Sequence, residues 1–283
     1  MKQTWAICKS ELSQLFYSPI AWLIIVIFSF QTYQSFTSQL GIIANDMDLH
    51  GVAKNVTSYL FAHVSGLYNS MMRNLYLFIP LLTMGLMSRD MSNGAIKLLY
   101  SSPVTSTQII LGKFMSMVLF SFVMIGVAFP AIWFAGAHVE NFDYGLVFSG
   151  LAGAFFLFWA YSAIGLFMSC LTNYQIVAAL LTLGTLGFLN HLSNVGQQLD
   201  FIRDITYWAS LSVRTEQLVF GLVSSEDIIY FVIVITLFLL YSIFLLQYKK
   251  NPRKGLCAAK YVGATVIVLA LGYLTSRPAM VFY

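Results

Sequence analysis

Charged side chains are scarce in this 283-residue sequence, in which only 9% of the residues are charged and 59% are apolar. Soluble domains carry about 25% charged and about 45–50% apolar residues. So few charges cannot cover a water-exposed surface, which excludes an ordinary soluble enzyme. The apolar residues form long unbroken runs, whereas strands of a membrane barrel alternate apolar and polar residues over about ten positions. We therefore expect an all-α membrane protein.

Catalytic, metal-binding and nucleic-acid-binding signatures are also missing. Gly112-Lys113 is not preceded by the glycine that a phosphate loop needs, and no HExxH motif occurs. The three cysteines stand at unrelated spacings, and the four histidines are scattered. A net charge of +4 is too small to indicate a nucleic-acid partner. The sequence therefore predicts no catalytic residue and no metal site.

Seven apolar runs predict seven membrane-spanning helices, each close to the roughly 20 residues that cross a bilayer. The runs are 20–36, 69–87, 109–137, 146–171, 176–192, 228–246 and 261–275. The second run reaches spanning length only if Arg73 lies near its outer end, where a long side chain reaches the interface.

The cations indicate the orientation of these spans. If the N-terminus is cytoplasmic, ten of the 15 lysines and arginines lie on the cytoplasmic side and five lie outside. The cluster at 249–254 directly follows the sixth run, where it either anchors the topology or binds anionic lipid. All three cysteines also fall on the cytoplasmic side, where thiols stay reduced.

The residue types in the middle of the spans indicate how a transporter of this kind would be powered. The span middles lack Asp, Glu, Lys and Arg, which ion-coupled carriers usually place there. A transporter of this kind would take its energy from a partner. Polar side chains at 29–34 in the first span either line a substrate path or form hydrogen bonds between helices.

The loop between the second and third runs carries several local signals. Residues 95–100 predict a short apolar helix that is entered through Asn93-Gly94 and stopped before Pro103. Thr105 and Gln108 fit a capping box for the third span. Such a helix either transmits a push from a cytosolic partner or lies on lipid headgroups.

This loop resembles the coupling segment of type-2 ABC exporter permeases. Their pattern is an acidic–basic stretch, Gly-Thr-x-Glu, Ser-Pro-Val and Ile-Val-Leu-Gly-Lys-Phe. The sequence has Arg89-Asp90, Gly94, Ser102-Pro103-Val104 and 109–114 in matching places. The likeness covers roughly residues 1–250 and is most similar to the gliding-motility permeases of Bacteroidota. Lys97 stands where the family has glutamate, which predicts a matched ATPase.

The resemblance implies a six-helix ABC exporter permease bundle at 1–250, followed by a basic linker and a seventh C-terminal transmembrane helix at 251–283. Within the bundle we expect an amphipathic helix at 2–17, a coupling loop at 88–108 and an outer helical segment at 193–227. The spacing at 2–17 places Trp5, Cys8, Leu12, Leu15 and Phe16 on one helical face.

The resemblance also implies roles for individual residues. The expected ATPase-coupling residues are Arg89, Asp90, Gly94, Ile96, Lys97, Leu99, Ser102 and Pro103. The outer segment resembles a short re-entrant helix with Arg214, Glu216 and Gly221, although an ordinary surface helix is an alternative. Arg214 and Glu216 are two positions apart and do not share a helix face.

Together these likenesses imply a permease subunit of the bacterial inner (plasma) membrane with a cytoplasmic N-terminus. An ABC ATPase subunit would hold ATP and Mg, and this chain would carry out no catalysis. The bundle would pair with a second copy or a homologous permease, and a companion membrane subunit with an outer domain is a further expected partner. The alternative is a membrane scaffold of a gliding or envelope complex that transports nothing.

Overall fold

The computed structural model describes residues 2–50, 55–101, 103–191 and 211–250, with a few positions between 261 and 282. Its helices are α1 (Lys2–Tyr17), α2 (Pro19–His50), α3 (Val56–Phe61), α4 (Leu67–Thr83), α5 (Gly85–Ser92), α6 (Ala95–Ser101), α7 (Ser106–Gly126), α8 (Phe129–His138), α9 (Tyr144–Leu171), α10 (Gln175–His191), α11 (Leu211–Val219) and α12 (Ser225–Lys250). Two short strands, β1 (Val223–Ser224) and β2 (Val281–Phe282), pair antiparallel.

The expectation of an all-α membrane protein is confirmed. Within the residues that the structure describes, four helical segments are long and apolar enough to cross a bilayer, namely Pro19–Asn45, Ser106–His138, Tyr144–Leu171 and Ser225–Lys250. Helices α4 and α10 have 17 residues each, which at 1.5 Å per residue gives about 25 Å. The predicted seventh span and residues 193–210 of the predicted outer segment lie largely outside the described residues, as does Ser102.

Two predicted spans are interrupted, which corrects the expectation of continuous helices. The run 69–87 divides at Met84, where α4 ends and α5 begins. Pro80 lacks an N–H group, and the N–H groups of Met87 and Ser88 donate to Ser169 Oγ, each at 3.0 Å. The run 109–137 divides between α7 and α8, where a proline lies in the first turn of α8.

Helix α9 is the centre of the bundle, and α4, α7, α10, α11 and α12 pack around it. Close packing needs small residues on α9, because a Cβ atom at Gly165 would overlap the side chain of Thr83 on α4. The end of the bundle at which α1, α5 and α6 lie is called the α1 end here. Helix α11 packs against α9 toward the opposite end.

Helix α1 covers the segment predicted as amphipathic, and four residues of the predicted face lie toward the bundle: Cys8 is buried, and Leu12, Leu15 and Phe16 pack against the core. The exception is Trp5, which is 59% exposed, while Glu11 is buried on the inner face. The cause lies in α7, where a Cβ atom at Gly112 would stand 2.9 Å from Ile7 Cβ and from the Thr4 carbonyl oxygen. Backbone contact at Gly112 therefore sets the face that α1 turns toward the bundle, and Trp5 is left outside it.

Candidate functional site

The loop between α5 and α7 is built by local signals that the sequence displays. Helix α5 ends at Ser92, and Gly94 reverses the chain with a φ of 74°, a conformation that suits glycine. Helix α6 then runs from Ala95 to Ser101. The capping box forms as predicted: Gln108 Oε1 accepts from the Thr105 N–H at 3.1 Å, and Thr105 Oγ1 accepts from the Gln108 N–H at 3.3 Å.

Helix α6 presents one apolar side chain to its surroundings. Leu98 is 74% exposed, and Lys97 beside it is also exposed. Ile96 and Leu99, which the resemblance implicates in coupling, are half-buried and pack against the core. The surface that α6 offers is therefore Lys97-Leu98, and the resemblance alone did not single out Leu98.

Four charged residues from three helices meet at the α1 end, and we call them the charged junction: Glu11, Arg89, Asp90 and Lys113. Lys113 Nζ lies 2.5 Å from Glu11 Oε1 and 2.7 Å from Asp90 Oδ2. A guanidinium nitrogen of Arg89 lies 3.4 Å from Glu11 Oε2 and also donates to Oε1 of Gln14. The junction connects α1 and α7 with α5, the helix that directly precedes α6.

Burial makes this junction structurally important. The Lys113 side chain is 1% exposed and that of Glu11 is 7% exposed, while Asp90 is 17% exposed. A buried charge that loses its partner is strongly destabilising, so these helices are held in one arrangement. Asp90 thus contacts Lys113 on α7, and Arg89, whose side chain is 36% exposed, contacts Glu11 and Gln14 on α1.

Helix α5 is also attached to α9 and α12. Ser169 Oγ on α9 donates to the Met84 carbonyl oxygen at 2.9 Å and accepts the two N–H groups at the start of α5. On α12, Lys249 Nζ donates to the Cys170 carbonyl oxygen at 3.0 Å and lies 3.8 Å from Met91 Sδ. Helix α5 therefore has polar contacts with four neighbouring helices along its eight residues.

The residues predicted for the outer segment separate as their spacing indicated. Arg214 on α11 is buried, lies 2.9 Å from Asp227 and 3.6 Å from Glu226, and has its guanidinium carbon 5.8 Å from the Tyr230 ring centroid. Glu216 is exposed. Gly221 has a φ of 86° just beyond the end of α11. This arrangement fixes α11 to the start of α12.

The polar residues of the first span differ in their surroundings. Ser29 Oγ donates to its own helix, and the Tyr33 hydroxyl donates to the Val127 carbonyl oxygen at 2.8 Å, which ties α2 to the α7–α8 connection. Gln31 and Gln34 instead line a groove of about 380 Å³ between α2 and α4.

Ordinary metal and thiol chemistry is not indicated by this site. Within the described ranges, no group of three His, Cys, Asp or Glu side chains is placed to hold a metal ion. Cys8 is buried against α7, and burial raises the pKa of its thiol, which keeps the thiol protonated near neutral pH. The junction therefore acts by holding helices together.

Sequence reasoning found Arg89 and Asp90 but not their partners. The missed signal was a pair of opposite charges that each interrupt an apolar helical face: Glu11 stands among the apolar residues of α1, and Lys113 stands two turns into the apolar helix α7. Neither charge is stable there alone.

In a comparison with models of protein families, residues 5–250 match the family described as ABC-2 family transporter protein. A search of curated proteins gives no match.

Proposed function

Because the chain belongs to the ABC-2 transporter family and is its multi-pass membrane permease component, we propose that it is the membrane subunit of an exporter driven by a separate ATPase. The ATPase would hold ATP and Mg, and movement of its subunits would be passed to this bundle. The family match over residues 5–250 carries this proposal. Membership of the gliding-motility subgroup rests on the sequence motifs alone.

Helix α6 is the proposed docking element for the ATPase. The exposed Leu98 supplies an apolar contact and the neighbouring Lys97 supplies charge, as a protein interface with an apolar centre and polar rim requires. A flexible loop would absorb a push from the ATPase. Helix α6 instead directly follows α5, and α5 contacts four helices that would receive the displacement. Arg89 and Asp90 act behind the docking surface, where they pass the displacement to α1 and α7 through Glu11 and Lys113.

The same reasoning places the α1 end in the cytoplasm. Lys97, Lys249 and Lys250 lie at this end, in agreement with the excess of cations on cytoplasmic segments. We further propose a bacterial inner membrane location and pairing with a second copy or a homologous permease. The face of α10 that carries Ile176, Leu180 and Phe188 is exposed and apolar, which fits contact with a second bundle or with lipid.

Site-specific photocrosslinking tests the docking element. A benzophenone amino acid at position 98 should crosslink to a polypeptide that carries an ATP-binding phosphate loop, identified by mass spectrometry. The same probe at position 188, on the exposed face of α10, is the matched control and should not reach it. Leu98→Asp should abolish ATPase stimulation in reconstituted vesicles while Leu98→Met retains it. Transport that persists without any ATPase would refute the proposal.

A further inference from the structure

The groove between α2 and α4 is polar in a region where the surrounding bundle is apolar. Its principal side chains are Gln31, Gln34 and Ser38 from α2 and Ser70, Arg73 and Asn74 from α4. Gln31 stands 12 residues into α2, about 18 Å along its axis. The groove therefore begins near the middle of a hydrocarbon layer of about 30 Å and continues toward the end opposite α1.

Hydrogen-bonding capacity is left unused in the wall of this groove. Gln31 Oε1 and Asn74 Nδ2 are buried and have no hydrogen-bond partner among the described residues. Arg73 is exposed on the groove surface and forms no ion pair in the part of the chain that the structure describes. Unpaired polar groups at membrane depth are costly, and a ligand that supplies the missing partner removes this cost.

The chemistry of the wall favours an anion. Arg73 presents five N–H donors in a planar fork that matches phosphate and carboxylate oxygens, and the serine hydroxyls and side-chain amides add donors. The six principal side chains include no carboxylate. An anionic group would form charge-assisted hydrogen bonds with the guanidinium, which a neutral ligand cannot do.

An apolar strip continues from the groove along the same face of α4. Leu77 and Leu81 follow Arg73 at intervals of four residues, and they are 48% and 37% exposed. The strip extends about 12 Å from Arg73 toward the α1 end. A molecule whose charged group lies at Arg73 can therefore place a hydrocarbon chain along Leu77 and Leu81.

We propose that this groove binds an anionic amphiphile, with its phosphate or carboxylate at Arg73 and its hydrocarbon tail along Leu77 and Leu81. The inference names a substrate class and in that respect rests on the proposed function. The groove volume of about 380 Å³ lies within the range of small-molecule sites. Asn74 Nδ2 can donate to the anionic oxygens, and Gln31 Oε1 can accept from a hydroxyl of the headgroup, such as the glycerol hydroxyl of a lysophospholipid.

A binding assay on the full chain in neutral detergent micelles tests this site without any ATPase. The probe is a fluorescent lysophosphatidic acid, and its displacement is followed by anisotropy. Unlabelled lysophosphatidic acid should displace it at least tenfold more effectively than monooleoylglycerol, which has the same tail and no phosphate. Inorganic phosphate, which has no tail, should be similarly weak.

Two variants and one control make the result specific to the groove. Arg73→Gln should weaken probe binding about tenfold, because a charge-assisted hydrogen bond is lost. Gln31→Leu should weaken binding while it preserves the folded chain, because it replaces an unpaired buried oxygen. Lys9→Gln, which removes an exposed cation of α1, should bind as the unchanged chain does.

The outcomes separate the inference from the proposed function. Unchanged affinity in both Arg73→Gln and Gln31→Leu would overturn the inference, as would equal displacement by monooleoylglycerol or by inorganic phosphate. If the crosslink at position 98 forms but the probe does not bind, the inference fails alone. If the probe binds as expected but no ATPase is crosslinked, the proposed function fails and the anion site stands.

Discussion

Replacing Lys113 by methionine tests whether the charged junction holds α1, α5 and α7 together. The substitution keeps much of the side-chain volume and removes the cation that lies between Glu11 and Asp90. The two carboxylates then face each other in a largely buried site, with Arg89 at 3.4 Å as partial compensation. Breaking a buried ion pair in this way costs about 3–5 kcal/mol. For Lys113→Met we expect the free energy of unfolding to fall by about 3 kcal/mol, near the lower bound of this range.

The exposure of each side chain determines how much unfolding free energy its variant should lose. Asp90→Asn should cost less than Lys113→Met, about 1–2 kcal/mol, because Asp90 is 17% exposed and Lys113 keeps Glu11 as its partner. Arg89→Gln should cost less than about 1 kcal/mol, because the Arg89 side chain is 36% exposed and its charge is screened by solvent. The graded series is a stronger test than any single value.

Equilibrium unfolding in mixed micelles, followed by tryptophan fluorescence, measures these differences. The control is the double variant Glu11→Leu with Lys113→Met, which removes both members of the closest pair. It should recover part of the stability that Lys113→Met loses, because the buried Glu11 carboxylate is no longer uncompensated, while the more exposed Asp90 still lacks Lys113. An unchanged free energy of unfolding for Lys113→Met, or an equal loss for Arg89→Gln, would refute this account of the junction.

Two further predictions concern glycines at the α1 end. Gly112→Ala should push α1 away from α7 and speed the alkylation of Cys8 by N-ethylmaleimide near pH 7.5. In the unchanged chain, burial raises the pKa of the Cys8 thiol, so the thiol stays protonated at this pH and reacts slowly. Gly184→Ala, which meets no atom within 4 Å, should leave the labelling rate, read by peptide mass spectrometry, unchanged. Gly94→Pro should abolish ATPase stimulation without preventing membrane insertion, because proline cannot adopt the φ of 74° that orients α6; normal stimulation would contradict this.

Much of the fold follows from the composition and from short-range sequence signals. Long apolar runs predict the spanning helices, since only helices and closed barrels satisfy their backbone groups in lipid. Helix α6 and its surroundings follow from Gly94, Pro103 and the Thr105–Gln108 box, which act within a few residues of one another. Such local signals do not depend on what packs against the segment.

Features that depend on tertiary contacts were not predictable in the same way. The division of the second span at Met84 depends on Ser169, which lies 85 residues further along the chain. The exposure of Trp5 and the burial of Glu11 on α1 depend on Gly112 and on the ion pair between Glu11 and Lys113, 102 residues apart. The spacing within α1 reports only its own apolar face. It carries no information about a glycine or a lysine on the helix that receives it.

In the proposed function, the contacts of α5 explain how Arg89 and Asp90 take part in coupling although their ionic partners lie on α1 and α7. A displacement of Leu98 would move α6, and α6 is joined through Gly94 to α5. Helix α5 contacts α9 through Ser169 and α12 through Lys249, and it reaches α1 and α7 through Arg89 and Asp90. These four helices include the three most apolar of the four long spans in the part of the chain that the structure describes. In the proposed function, α6 therefore receives the displacement and α5 distributes it.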